Sequence, residues 1–251
     1  MSELHPIEAG HTTAVIGLPL RKVLGFMLLY LIRHAESQNN AKPAYNRVED
    51  PALTAVGRLQ AQYLAQWTQG LNFDMLITSP VLRALQTARS IHESTGHHVH
   101  VWDNVFEQGG IFRGFGPDAN QGGAGMTRRQ VHQHAARDGS LCTLDGSIGD
   151  SGWWGRPRET QAEAWQRAAL VEKRLVACAS KQAEALVVVT HADFKRKLLL
   201  TLLPESLGPN QVNRLSNTGV TKLEWDASAW RLSYLDVVTH LPARLVTGIN
   251  V

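Results

Sequence analysis

The sequence predicts an α/β fold: a three-layer α/β/α sandwich on a mostly parallel, mixed sheet. Three observations predict it. Short apolar runs alternate with longer amphipathic segments from about residue 27 to residue 203. The apolar runs, such as Leu28-Leu29-Tyr30-Leu31-Ile32 and Leu186-Val187-Val188-Val189, are unbroken by polar residues, as strands covered on both faces are. The chain then ends in two further strands joined by Asp226-Ala227-Ser228-Ala229, a hairpin at or near the sheet edge.

Composition agrees. The 251 residues are 43% hydrophobic and 19% charged, which excludes wholesale disorder and fibrous classes and leaves room for one large domain or two small ones. The net charge of +3 is spread along the chain and suits an anionic small molecule as well as nucleic acid. Two cysteines, Cys142 and Cys178, form neither a disulfide framework nor a CxxC, so a cytoplasmic, reducing setting is expected.

Taken in order, residues 1–22 show scattered Gly, Pro and His with no period, and Met27 makes a natural start. Residues 1–26 therefore read as an N-terminal extension of unassigned role, and 27–251 as the domain. Val23–Ile32 is a ten-residue apolar run, about half of a membrane span, and Arg21-Lys22 before it mimics a signal peptide. No small-residue cleavage site follows, and the run ends directly in Arg33-His34, so a buried strand is expected, with no export and no membrane span. Strands are predicted at 27–32, 73–78, 98–102, 185–190, 219–225 and 230–238. Helices are predicted at 54–69, 80–95, 126–137, 159–181 and 193–203, and Ala162–Leu175 reads as an amphipathic scaffold helix. Between 108 and 158 glycine, arginine and histidine crowd together. This reads as an insertion with one helix, a lid lying over the sheet.

In open α/β sheets ligands bind beyond the carboxyl ends of the strands. Arg33-His34 follows the first strand, Ser79-Pro80-Val81-Leu82-Arg83 the second, Asp103 and Glu107 the third, and His191-Ala192-Asp193 the fourth. A parallel sheet would bring two histidines, two arginines and a carboxylate to one edge. With Ser79 as N-cap and Pro80 at the first helical position, Arg83 lies in the first turn of a helix, where its charge opposes the helix dipole unless an anion binds there. An arginine turned to solvent or paired with a carboxylate fits the same position. Two guanidinium forks match the oxygens of a phosphoryl group. Positive neighbours favour a neutral, nucleophilic His34, its other ring nitrogen fixed by a backbone carbonyl.

These residues resemble the signature of the histidine phosphatase superfamily, the phosphoglycerate mutase-like family. The resemblance runs through Leu31-Ile32-Arg33-His34-Ala35-Glu36-Ser37-Gln38-Asn39-Asn40, Leu53-Thr54-Ala55-Val56-Gly57 and Thr78-Ser79-Pro80-Val81-Leu82-Arg83-Ala84-Leu85-Gln86-Thr87-Ala88. It continues in Glu107 with Gly110 and Gly114, Thr190-His191-Ala192 and Asn217-Thr218-Gly219-Val220. It implies a phosphoglycerate mutase-like fold and a phosphohistidine on His34. It also implies phosphoryl binding by Arg33, Arg83 and His191, a pocket position for Asn40, a rim position for Thr54, and Glu107 as proton donor. Ala35 and Ala192 stand where the family usually has glycine, and Ala35 fits if its φ is negative. Asp103 and Glu36 compete with Glu107 in sequence. Glu36 reads as a structural hydrogen-bonder and Asp103 as a strand end or turn cap.

The expected activity is hydrolysis of a small phosphorylated metabolite with no cofactor and no metal. The rivals are phosphoglycerate mutase-type phosphotransfer and a catalytically silent binding module on the same fold. Some of Arg113, Arg128, Arg129, Arg137, Arg156 and Arg158 in the lid suit a second anionic group on the substrate; solvated arginines fit equally. His97, His98 and His100 lack a completing carboxylate or cysteine and read as a solvated strand start rather than a metal site. His132 and His134 point in different directions on their helix. Trp153-Trp154 reads as an anchor of the lid more than a wall of the pocket. Gly122-Gly123-Ala124-Gly125 lacks the Lys-Ser/Thr of a P-loop, and Arg128-Arg129 lacks interleaved aromatics for nucleic acid. No partner beyond the substrate is read, and the oligomeric state is not legible.

Overall fold

The computed structural model describes residues 25–113, 121–137, 141–181 and 183–248. Residues 1–24 of the expected extension, Gly114 and parts of the expected lid lie outside them. The strands are β1 (Phe26–Arg33), β2 (Met75–Thr78), β3 (Val99–Val101), β4 (Cys142–Leu144), β5 (Ala185–Thr190), β6 (Val220–Asp226) and β7 (Trp230–Val237). They form one sheet in the order β4-β3-β2-β5-β1-β6-β7. The first five run parallel, and β6 and β7 pair antiparallel, as the mixed reading requires. The helices are α1 (Gln38–Ala41), α2 (Ala55–Thr68), α3 (Leu82–Thr95), α4 (Arg128–Ala135), α5 (Gln161–Ser180) and α6 (Ala192–Leu202).

Side-chain alternation along β1 explains the three layers. Tyr30 and Ile32 pack with Leu64 of α2 and Leu85 of α3, while Met27, Leu29 and Leu31 pack with Val171 of α5 and Phe194 of α6. Each fully buried side chain of this size contributes about 1.5–3 kcal/mol, so register is strongly fixed. The closing hairpin turns at Ala227, at φ 72°, with Asp226 Oδ1 accepting from Ser228 and Ala229 N–H.

Three local expectations are corrected. The 108–158 segment does not only lie over the sheet: Cys142–Leu144 joins it as edge strand β4, parallel to β3, and α4 packs against α3 and β4. Three residues are too short a strand to show a period. Ser79 does not cap α3. Val81 occupies the N-cap position, and Asp50 Oδ1, from a distant loop, accepts the Leu82 N–H at 3.0 Å. The short helix α1 was not expected; Ser37 and Asn40 close it through a capping box.

Register then positions the site. Arg33 stands opposite Thr190, and Val189 opposite Thr78, so β2, β5 and β1 end level. The residues that follow, Ser79, His191 and His34, emerge side by side.

Candidate active site

His34 is held from both sides. Its backbone N–H donates to Thr190 O at 2.8 Å, and Asn217 Nδ2 donates to its carbonyl at 3.0 Å. Its Nδ1 lies 2.7 Å from Ala35 O. Since a carbonyl only accepts, Nδ1 carries the proton and the Nε2 lone pair is free. Arg83 Nε donates to that lone pair at 3.0 Å. Burial, then the charges of Arg83 and Arg33, hold the His34 pKa well below its ordinary value.

Arg83 is the second residue of α3, where sequence placed it in the first turn. Its backbone is fixed through Thr87, whose hydroxyl donates to Arg83 O at 2.8 Å and accepts from Ala35 N–H at 3.1 Å. Arg33 ends β1, 2% exposed, and its Nη1 donates to Leu215 O and Gly248 O. The Gly248 contact belongs to residues 243–248, which return past the segment that carries Arg33 and His34. Thr247 O accepts from Asn217 N–H, and Gln60 donates to Leu245 O and Thr247 Oγ1 while its own Oε1 accepts from Glu36 N–H. Gly248 has φ 87°, and a Cβ there would stand 2.5 Å from Arg33 Nη1. Burial lowers the pKa of both arginines, against the pull of Glu107.

His191 is the N-cap residue of α6 and fully buried. Its Nε2 lies 2.9 Å from Ser79 Oγ, which also accepts from Val81 N–H at 3.3 Å, so Ser79 supports this histidine as well as the entry to α3. Its Nδ1 is buried without a partner among the described residues, and its ring centroid is 5.0 Å from that of His34. Burial, then Arg83, push its pKa well down, leaving it neutral.

Glu107 follows β3. Its Oε1 accepts from Gln108 N–H at 2.9 Å and from Phe194 N–H, in the first turn of α6, at 3.1 Å. Loss of solvent, then Asp193, raises its pKa against the pull of Arg83. Asn40 Oδ1 accepts from Ser37 and lies 3.5 Å from Asn217 Nδ2, which links it to the His34 carbonyl. Thr54 is the N-cap of α2; its hydroxyl donates to Glu36 Oε1 at 2.6 Å and accepts from Gly57 N–H. The structure thus brings Arg33, His34, Arg83 and His191 together with Glu107 beside them. Asn40 is joined to them through Asn217, and the Thr54 hydroxyl is engaged in the scaffold. Glu36 is the structural hydrogen-bonder expected. Asp103 turns away, accepting from Ser147 Oγ and sharing a network with Asp145.

Sequence reasoning gave no role to Asn217, Thr87, Gln60 or Asp50. Asn217 stood only in the stretch Asn217-Thr218-Gly219-Val220 that resembles the family, and there Thr218 adopts φ 56°, a strained left-handed conformation for a β-branched residue. The Thr218 N–H donates to Arg33 O at 3.1 Å. The turn therefore serves the end of β1.

The residues not promoted fall as follows. His97 stacks on Phe73 and reaches its carbonyl, and His98 reaches Thr143. Among the described residues, no group of three His, Cys, Asp or Glu is placed to hold a metal ion. Trp153 and Trp154 pack on Phe106 with centroids at 5.3 and 4.9 Å, an anchoring arrangement; Gly110, at φ 72°, leaves room for the Trp154 ring. No described helix is long and apolar enough to cross a membrane.

The family model described as histidine phosphatase superfamily (branch 1) matches residues 29–237. The chain belongs to the histidine phosphatase superfamily. It is similar to phosphoserine phosphatase 1 of Hydrogenobacter thermophilus, 37% identical over 79 residues, 32% of this chain and 37% of that protein. The match thus spans little more than a third of that relative. Its fold is that of a phosphoserine phosphatase mutant from Entamoeba histolytica in complex with phosphoserine, at TM-score 0.58 and 24% identity, covering 86% of this chain and 100% of the other. A phosphoglycerate mutase from Bacillus anthracis shares it at TM-score 0.58 and 13% identity, covering 87% and 96%. In this superfamily member Ala35 is fully buried with a negative φ and packs near Leu53 and Ala61, so the departure from glycine is accommodated.

Proposed function

We propose that the protein is a phosphomonoesterase that hydrolyses a small phosphorylated metabolite through a phosphohistidine on His34. The observation that carries this is the His34 Nε2 lone pair, fixed by the Nδ1–H contact to Ala35 O and ringed by Arg33, Arg83 and His191. Phosphoserine phosphatases and a phosphoserine complex stand among the similar proteins, which supports a small phosphorylated substrate.

The phosphoryl oxygens accept from the Arg33 and Arg83 guanidiniums and from His191. Arg83 gives up its bond to His34 Nε2 as the phosphoryl group enters between them. Nε2 then attacks phosphorus in line, the P–O ester bond breaks, and Glu107 delivers its proton to the leaving oxygen. The raised Glu107 pKa supports the protonated form this step needs. In the second half Glu107 takes a proton from water, which attacks the phosphohistidine; the N–P bond breaks and phosphate leaves with His34 neutral again. Positioning and fixed charge supply most of the acceleration, and no step in this scheme calls on a metal. Asn40 supports the pocket through Asn217.

Rapid acid-free quenching of enzyme mixed with labelled phosphomonoester tests the scheme. A base-stable, acid-labile phosphoprotein that disappears in His34→Ala is expected, with phosphate release unchanged by chelator. Isomerisation of 3-phosphoglycerate without net phosphate release would overturn the hydrolase reading in favour of a mutase. No turnover on any phosphomonoester would point to the silent binding module.

A further inference from the structure

Behind Glu107 lies a buried ion pair that the scheme above does not use. Arg167 of α5 and Glu159 are bidentate, with Nε to Oε1 at 2.7 Å and Nη2 to Oε2 at 2.6 Å, and their side chains are only 7% and 3% exposed. Arg167 does more than neutralise Glu159. Its Nη1 donates to Asn104 O and Phe106 O, both at 3.0 Å. Its guanidinium lies 3.7 Å from the centre of the Phe106 ring and 3.9 Å from that of Phe194. Glu159 Oε2 reaches back to accept from Gly109 N–H at 3.4 Å.

Apart from the one to Asn104, three residues before it, these contacts fall on neighbours of Glu107. Phe106 precedes it in the chain, Gly109 follows two residues later, and Phe194 supplies the N–H that grips Glu107 Oε1. The pair thus spans both supports of one carboxyl group, the loop that carries it and the helix end that holds it. A planar five-donor fork can serve two carbonyls, a carboxylate and two ring faces at once; an ammonium cannot. Packing alone does not call for such a pair, since apolar side chains of similar volume in place of both partners are often as stable.

We propose that Arg167, oriented by Glu159, is a positioning residue for the leaving-group proton: it fixes the distance of the Glu107 carboxyl from the departing oxygen. Glu159 lies just beyond Trp153-Trp154 and Arg156, so the pair also ties the end of the inserted segment to the acid. The proposal rests on the reading of Glu107 as proton donor, and its test separates the two.

Turnover of wild type, Glu107→Gln, Arg167→Met, Glu159→Gln and the double variant Glu107→Gln/Arg167→Met is measured with p-nitrophenyl phosphate, whose leaving group needs no proton, and with an alkyl phosphate such as phosphoserine, whose leaving group does. Displacement of a catalytic group by about 1 Å lowers rates on the order of 100-fold, so kcat of Arg167→Met should fall about 10- to 100-fold with the alkyl ester and less than about threefold with the nitrophenyl ester, KM being nearly unchanged. Arg167 also contributes to the low His191 pKa, but that influence acts on both substrates and cancels in their ratio. Glu159→Gln should show the same bias more weakly and serves if Arg167→Met does not fold. In the double variant the Arg167 substitution should add almost nothing. Equal losses on both esters, or full additivity in the double variant, would overturn the positioning role while leaving Glu107 in place. If Glu107→Gln itself shows no bias, the reading of Glu107 as donor falls, and this proposal with it.

Discussion

The two ends of the pocket are held by different kinds of structure. At the His34 end, the side chains leave the level ends of β1, β5 and β2: Thr190 O, Ala35 O, the Asn217 amide and Gly248 O hold His34 or Arg33, the Thr87 hydroxyl fixes the backbone of Arg83, and the Ser79 hydroxyl meets His191. At the Glu107 end, the carboxyl group stands on a loop after β3, held by two N–H donors and backed by the Arg167–Glu159 pair. The first arrangement is rigid because a parallel sheet fixes it. The second depends on a segment inserted between strands and on a single buried ion pair. On the proposed function, phosphoryl binding is thus assigned to the sheet itself and proton delivery to a segment outside it.

The largest expected effect lies at the rigid end. His34→Ala should lose about 10⁴-fold or more in turnover with every phosphomonoester, as removal of a nucleophile does. Retention of wild-type p-nitrophenyl phosphate hydrolysis would remove the distinction between the two ends. Next, Arg83→Met should lower kcat/KM about 10²- to 10³-fold, also regardless of leaving group.

At the other end the loss should depend on the substrate. Glu107→Gln is expected to cost about 10²-fold with alkyl phosphates, within the usual range for general acid help, and little with p-nitrophenyl phosphate. Asp103→Asn should match wild type on both. The same contrast has a pH form. The proposed scheme requires neutral His34, whose pKa is lowered, so the rate should rise with pH through a value below about 6.5. It also requires protonated Glu107, whose pKa is raised, so with poor leaving groups the rate falls as pH rises through a value above 4.5. Glu107→Gln should lose that descending limb and keep the ascending one. The smallest effect sharpens the rigid end. Gly248→Ala, at φ 87°, places a methyl group against Arg33 Nη1 and against Asn217 Oδ1 and N, and should weaken competitive inhibition by inorganic phosphate about tenfold together with a measurable loss of thermal stability.

The same division decides what could be read from sequence. Elements that carry the rigid end are long, apolar and punctuated: β1, β5 and α2–α3 appear within two or three residues of their expected bounds, and Arg33, His34, Arg83 and His191 follow from strand ends alone. What escaped is non-local. Asp50 caps α3 from 32 residues away and Ser79 serves His191 across 112, and neither pairing leaves a trace in local spacing. Edge strand β4 hid in the inserted segment because three residues, alternating buried and exposed, look like loop. Arg167 looked like one more polar position on the amphipathic helix α5; nothing in its neighbourhood in sequence shows that it turns inward to Phe106.

Arg33 and Gly248 are 215 positions apart, yet one carbonyl of the second helps orient the guanidinium of the first. Pairing of β6 with β1 already sets Val220 opposite Ile32, so only the stretch from 221 to 248 remains to be laid across the site once the sheet has formed. A chain stalled or clipped beyond residue 242 would thus look native to a spectroscopist and still fail to retain an oxyanion, so inorganic phosphate offers a ready gauge of whether maturation has run to completion.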